Sequence, residues 1–199
     1  MSIGDVLSEI LTECGIDVAS PDISSNDFQM KQLANLVNVA GRDINERVEW
    51  AGATASLPVP ATSASIALPS DFQEMAEHGA VTLDGGAYTP VRPVLAPAMW
   101  QMLKAGASAQ PYYHIDSGAI NFSPVIPTGG ATVRYISKNW LGTKDAVTDN
   151  ADEPVFPSGL LARGVIWRWK RQKGLPFDDL LAEYEADIEA AIKADRGAA

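Results

Sequence analysis

The sequence predicts an α+β protein: a helical bundle of N-terminal helices and a C-terminal helical hairpin, with a small antiparallel β-domain inserted between them. Three observations predict it. Apolar residues recur every three or four positions at both ends of the chain, they alternate with polar residues in its middle, and Gly- and Pro-rich turns separate the alternating runs. The bundle is expected over 1–50 and 154–196, the β-rich insertion over 51–140 and a polar arm over 141–153, all within a single domain, 1–199.

Ile3, Val6, Leu7, Ile10 and Leu11 share one helix face, with Ser2 as cap and Gly15 as stop. A polar connector containing Pro21 follows. Ser25 or Asn26 should then cap a longer helix whose buried face runs Phe28, Leu33, Leu36, Val37, Ala40, Ile44 and Val48 and ends near Trp50. From Ala51 the composition is that of a linker, but Ala53, Ala55, Leu57 and Val59, then Ala64, Ile66 and Leu68, alternate as strands do. A β-hairpin is expected there. Leu68-Pro69-Ser70-Asp71-Phe72 reads as strand, stop and helix cap, leading into a short helical turn through Met75 and Ala76.

Residues 81–83 and 88–91 flank Asp84-Gly85-Gly86 and predict a tight hairpin, because glycine supplies the positive φ of such turns. A short helix over 98–104 should bury Met99, Trp100 and Leu103. Segments 112–115 and 119–122 flank Asp116-Ser117-Gly118 as a second hairpin, and 132–136 is the last strand. Pro111, Pro124 and Pro127 mark strand ends, since proline cannot donate to a ladder. The arm has no apolar period. Its flanks, Trp140-Leu141 and Val155-Phe156, are apolar anchors, which together with the segment beyond Ile192 are expected to contact a neighbouring chain; the alternative is a surface loop.

In the C-terminal hairpin, Leu161, Val165 and Trp169 recur every four residues with Leu160, Gly164 and Trp167 beside them. Phe177, Leu180, Leu181, Tyr184, Ile188, Ala191 and Ile192 keep the period in the second helix, joined to the first through Gly174-Leu175-Pro176. Trp167 or Trp169 should be buried against the helix that begins at Phe28. Charge is segregated between the two. Arg163, Arg168, Lys170, Arg171 and Lys173 load the first helix, while Asp178, Asp179, Glu183, Glu185, Asp187, Glu189 and Asp195 load the second. Either these faces pair across the hairpin, or the basic helix contacts a polyanion or a partner.

A net charge of −10 argues against a surface that grips duplex DNA, which must supply many cations. One cysteine, Cys14, excludes an internal disulfide and a Cys-based structural zinc site. No run of about 18 apolar residues suggests a membrane span. No Gly-rich phosphate loop or nucleophile elbow occurs, and His78 and His114 have no ligand-spaced partners. No catalytic residue, cofactor or metal is expected.

The order of Leu68-Pro69-Ser70-Asp71-Phe72, Gln110-Pro111-Tyr112-Tyr113, Asn121-Phe122-Ser123-Pro124, Gly129-Gly130, Val133-Arg134-Tyr135 and Tyr184-Glu185-Ala186-Asp187-Ile188 resembles the head-to-tail adaptor (connector) proteins of tailed bacteriophages. The resemblance implies a structural virion protein, assembled in the host bacterial cytoplasm as a ring of twelve copies. It would sit beneath the portal protein, meet tail or nozzle proteins, and continue the channel through which DNA passes. The alternatives are another virion or tail-completion protein, or a DNA-binding module using the basic helix.

Overall fold

Two segments distant in sequence, Met1–Ala53 and Lys138–Ala199, form one unit in the computed structural model, and Thr54–Ser137 forms another. The structure describes residues 1–18, 21–77, 80–85, 89–106 and 108–197, so His78, Tyr88 and the last two residues of the tail lie outside the described residues. In chain order the elements are α1 (Ile3–Cys14), α2 (Phe28–Arg47), β1 (Thr54–Val59), β2 (Ser65–Ala67), β3 (Phe72–Met75), β4 (Val81–Leu83), β5 (Thr89–Pro90), β6 (Arg92–Pro93), α3 (Pro97–Ala105), β7 (Tyr112–Asp116), β8 (Ala119–Ser123), β9 (Ala131–Ser137), α4 (Ser158–Gln172) and α5 (Asp178–Gly197). The fold is α+β.

In the helical unit, α4 packs against α1, α2 and α5. Helix α1 opens with a capping box, in which Ser2 accepts from the Asp5 N–H and the Asp5 carboxylate accepts from the Ser2 N–H. Gly15, at φ +62°, ends it, and all five apolar residues named for its inner face are buried. The cap of α2 is Asp27, whose carboxylate accepts from the Gln29 and Met30 N–H groups, rather than Ser25 or Asn26. Phe28 is therefore the first helical residue and 72% exposed, not buried. At about 100° per residue it lies about 150° around the helix from the centre of Leu33, Val37, Ala40 and Ile44. In α4 the expected stripe is buried in full, with Trp167 and Trp169 both included. Trp167 packs against Phe177 and Tyr184, and Gly174, at φ +71°, turns the chain toward α5.

The second unit holds two sheets. One runs β1-β9-β4-β5 with β3 also paired to β9, and the other runs β2-β8-β7-β6. Val59, Val81, Ala131 and Val133 of the first meet Tyr113, Ile120 and Phe122 of the second in one core. The hairpin expected over 53–68 does not form. Residues 54–59 pair with β9 and residues 65–67 with β8, so successive strands enter different sheets. The corner between them is tied to Ile126, whose carbonyl accepts from the Thr62 N–H and whose N–H donates to Ser63. The helical turn expected after Asp71 is instead β3, paired with β9. Its cap residue is engaged elsewhere: the Asp71 carboxylate accepts from the hydroxyls of Tyr135 and Ser137.

The hairpins β4–β5 and β7–β8 form where the turn chemistry placed them. At Gly129, in the turn between β8 and β9, any Cβ would sit 2.2 Å from the Asp84 carbonyl oxygen, so only glycine lets this turn approach that of β4–β5. Helix α3 buries Trp100 alone; Met99 is exposed and Leu103 only half-buried, against expectation.

Candidate functional site

The apolar anchors of the arm come together inside the helical unit. Phe156 lies between Trp140, at 6.0 Å ring to ring, and Trp50, at 5.8 Å. Trp140, Leu141 and Phe156 are buried and Val155 is half-buried. The Val155 N–H donates to the Trp140 carbonyl at 2.9 Å, which closes the arm at its base. Both indoles here are satisfied, Trp140 Nε1 by the Asp145 carbonyl and Trp50 Nε1 by that of Ile44.

Between its ends the arm is bonded to its own chain. Its carbonyls at Asp152 and Asn150 accept from the Ile3 and Gly4 N–H groups, each at 2.8 Å. Those are first-turn donors of α1, which have no partner within a helix. The Asn150 side chain accepts from the Ile23 N–H and donates to the Pro21 carbonyl, while Asn38 of α2 accepts from the Val147 N–H. Asp152 gathers Lys144 at 2.6 Å and the N–H groups of Thr148 and Asp149. Burial raises the Asp152 carboxyl, but these donors outweigh it and hold it below the usual carboxylate value. The anchors thus find within the subunit the cover that the sequence suggested a neighbour would supply.

The basic helix divides in two. Arg163 pairs with Asp187 of α5, as pairing across the hairpin requires. Arg168, only 9% exposed, turns instead to α2, where it binds Asp43 at 2.7 Å and donates a second bond to the Gly164 carbonyl. Arg47 at 3.2 Å and the Tyr184 hydroxyl at 3.1 Å complete the shell of Asp43. Arg47 also reaches Glu185 on α5. Asp43 is the residue the sequence reading missed; its only signal is a carboxylate beside Ile44 at the edge of the buried face.

Lys170, Arg171 and Lys173 differ. Among the described residues no carboxylate lies within ion-pair distance of them. The Arg171 guanidinium lies 5.2 Å from the Trp167 ring centre, and the Lys173 ammonium lies 4.3 Å from that of Trp169.

In the β unit, Leu95, Met99 and Met102 are 87%, 58% and 74% exposed. Below them His114 stacks on Trp100 at 5.4 Å and donates from Nδ1 to the Val94 carbonyl at 2.6 Å. Three large apolar side chains on and beside one short helix are a surface a partner can cover. Of the three, the sequence singled out Met99 alone, and as a buried residue; its outward direction was not legible.

The profile of one protein family, described as SU10 adaptor protein, matches residues 1–199. The chain belongs to this phage head-to-tail adaptor family. No curated protein matches it. Membership implies a virion component that meets other head or tail proteins of the phage. In this SU10-family chain the motifs behind the resemblance are joined in space: Asp71 of the Leu68–Phe72 run bonds Tyr135 of Val133-Arg134-Tyr135, and Phe72 packs on the Tyr135 ring at 5.8 Å. Among the described residues no cluster of three or more His, Cys, Asp or Glu could hold a metal ion, and no helix is long and apolar enough to cross a membrane.

Proposed function

We propose that this chain is a non-enzymatic structural adaptor, twelve copies of which form a ring beneath the portal, join capsid to tail and continue the DNA channel. The observation that carries the proposal is the family match over the whole chain. Under this reading the helical unit is a bundle and the β unit its insertion, serving as one domain. The exposed Leu95, Met99 and Met102 supply a face for a portal, tail or nozzle partner.

The electrostatics favour passage of DNA over capture. Arg168 cannot reach a phosphate without leaving Asp43, and Arg163 is held by Asp187. A DNA-binding module built on the basic helix would lose both. At about 150 mM salt, duplex binding should be weaker than the ~10⁻⁸ M typical of specific complexes. Titrating labelled duplex with the full chain, alone and on portal complexes, tests this; nanomolar binding would overturn it.

A further inference from the structure

Building on the ring reading, we propose that an open groove between α2 and α4 receives the acidic outer face of α5 from a second copy of the chain. The groove, of about 310 Å³, is lined by Leu36 and Val39 among polar side chains that include Gln32, Arg168 and Arg171. Val39 is 43% exposed, an apolar floor left to solvent. Beside it stand two cations without carboxylate partners among the described residues, Arg171 on α4 and Lys173 just past its end. Both are held in place. Arg171 rests against Trp167, while Lys173 rests against Trp169 and donates to Gln32 at 3.3 Å.

Such a pair is unexpected in a chain of net charge −10, and the same chain carries its complement. Asp178, Asp179, Glu183 and Glu189 are exposed on α5 and have no ion pair among the described residues. The inward acids of that helix, Glu185 and Asp187, are the ones paired within the chain. Ala182 and Ala186, exposed among the outer acids, leave room for Val39 to approach. Groove and face are different patches, so a contact made once between two copies is heterologous: it grows head to tail and can close into a ring, whereas two copies that exchanged it reciprocally would stop at a dimer.

The test has two arms, each run on the full chain free and on portal complexes. In a Cys14→Ala background, Val39→Cys with Ala186→Cys and a short bismaleimide should give a ladder of covalent oligomers. Either cysteine alone should give none. Dimers from Val39→Cys alone, or no linkage in a chain that still assembles by native mass, would overturn the contact and leave the ring reading intact. In the second arm, Arg171→Glu/Lys173→Glu and Asp179→Lys/Glu183→Lys should each weaken assembly at least tenfold, and mixing the two variants should restore it. Unchanged assembly of either variant alone, or capture of DNA by the groove in place of a second copy, would contradict the proposal. A wild-type chain that stays monomeric in every condition would remove the ring reading and this contact together.

Discussion

Gly41 sits in the middle of α2, where alanine is ordinarily better by roughly 1 kcal/mol. A Cβ there would lie 2.6 Å from the Trp140 ring. Overpacking of this kind costs about 1–3 kcal/mol, so packing outweighs propensity and Gly41→Ala should lower stability in urea unfolding. A gain of about 1 kcal/mol would contradict the seat of Trp140. Asp43 makes a sharper test. Burial pushes its carboxyl upward, but the hydrogen bond and charge of Arg168, reinforced by Arg47, bring it below the ordinary carboxylate value. A carboxyl lowered by folding stabilises the protein above its unfolded pKa of about 4, and that contribution is lost as pH falls through the lower folded value. Asp43→Asn, which leaves Arg168 buried without its counter-charge, should cost about 3 kcal/mol at pH 7. The difference from wild type should begin to shrink only below about pH 4; a gap constant from pH 7 to pH 2 would exclude the ion pair. Cys14 is the opposite case: burial pushes its thiol up to about 11, against the pull of Lys170 and with a smaller push from Glu13. Its alkylation at pH 8 should be much slower than that of a free thiol, which competition with a small thiol would measure.

At the scale of elements, what was legible in the sequence is what depends on near neighbours. The stripes of α1 and α4, the glycine stop at Gly15 and the hairpins β4–β5 and β7–β8 all rest on residues a few positions apart. Strand partners were not legible at 54–67, because alternation declares a strand without naming what it pairs with. The helical turn given to Asp71 failed for a related reason: its carboxylate serves two hydroxyls more than sixty residues away. The arm shows the same limit. Its backbone carbonyls cap α1, and backbone acceptors leave no mark in a sequence. Asn150 is the side chain that ties it down, with bonds of 3.0 Å to the Ile23 N–H and 2.9 Å to the Pro21 carbonyl. At roughly 1 kcal/mol per bond, Asn150→Ala should speed hydrogen exchange at Ile23 and Gly4 by about ten- to thirtyfold in the isolated subunit. Equal exchange in the two proteins would show that the arm is not held by its own chain.

At the scale of the whole molecule, the charge of −10 is an arrangement as well as a sum. Arg163 and Arg168 are neutralised within the unit, whereas Arg171 faces solvent beside the groove between α2 and α4. Whether the basic helix pairs internally was open in the sequence because the outcome differs along it: Arg163 and Arg168 pair within the chain, while Arg171 and Lys173 have no carboxylate partner among the described residues. The family could be read from the order of short motifs, and their contacts explain part of that order: Asp71 needs Tyr135, and Gly129 must pass Asp84. The candidate partner face at Leu95, Met99 and Met102 was hidden, since apolar residues in a short helix read as core until their direction is known. Electron microscopy of the full chain bound to portal complexes, with native mass of the same sample, should show a closed ring of twelve copies stacked on the portal around an open channel; a chain that stays monomeric beside the portal, or binds it without closing a ring, would refute assembly into an adaptor ring.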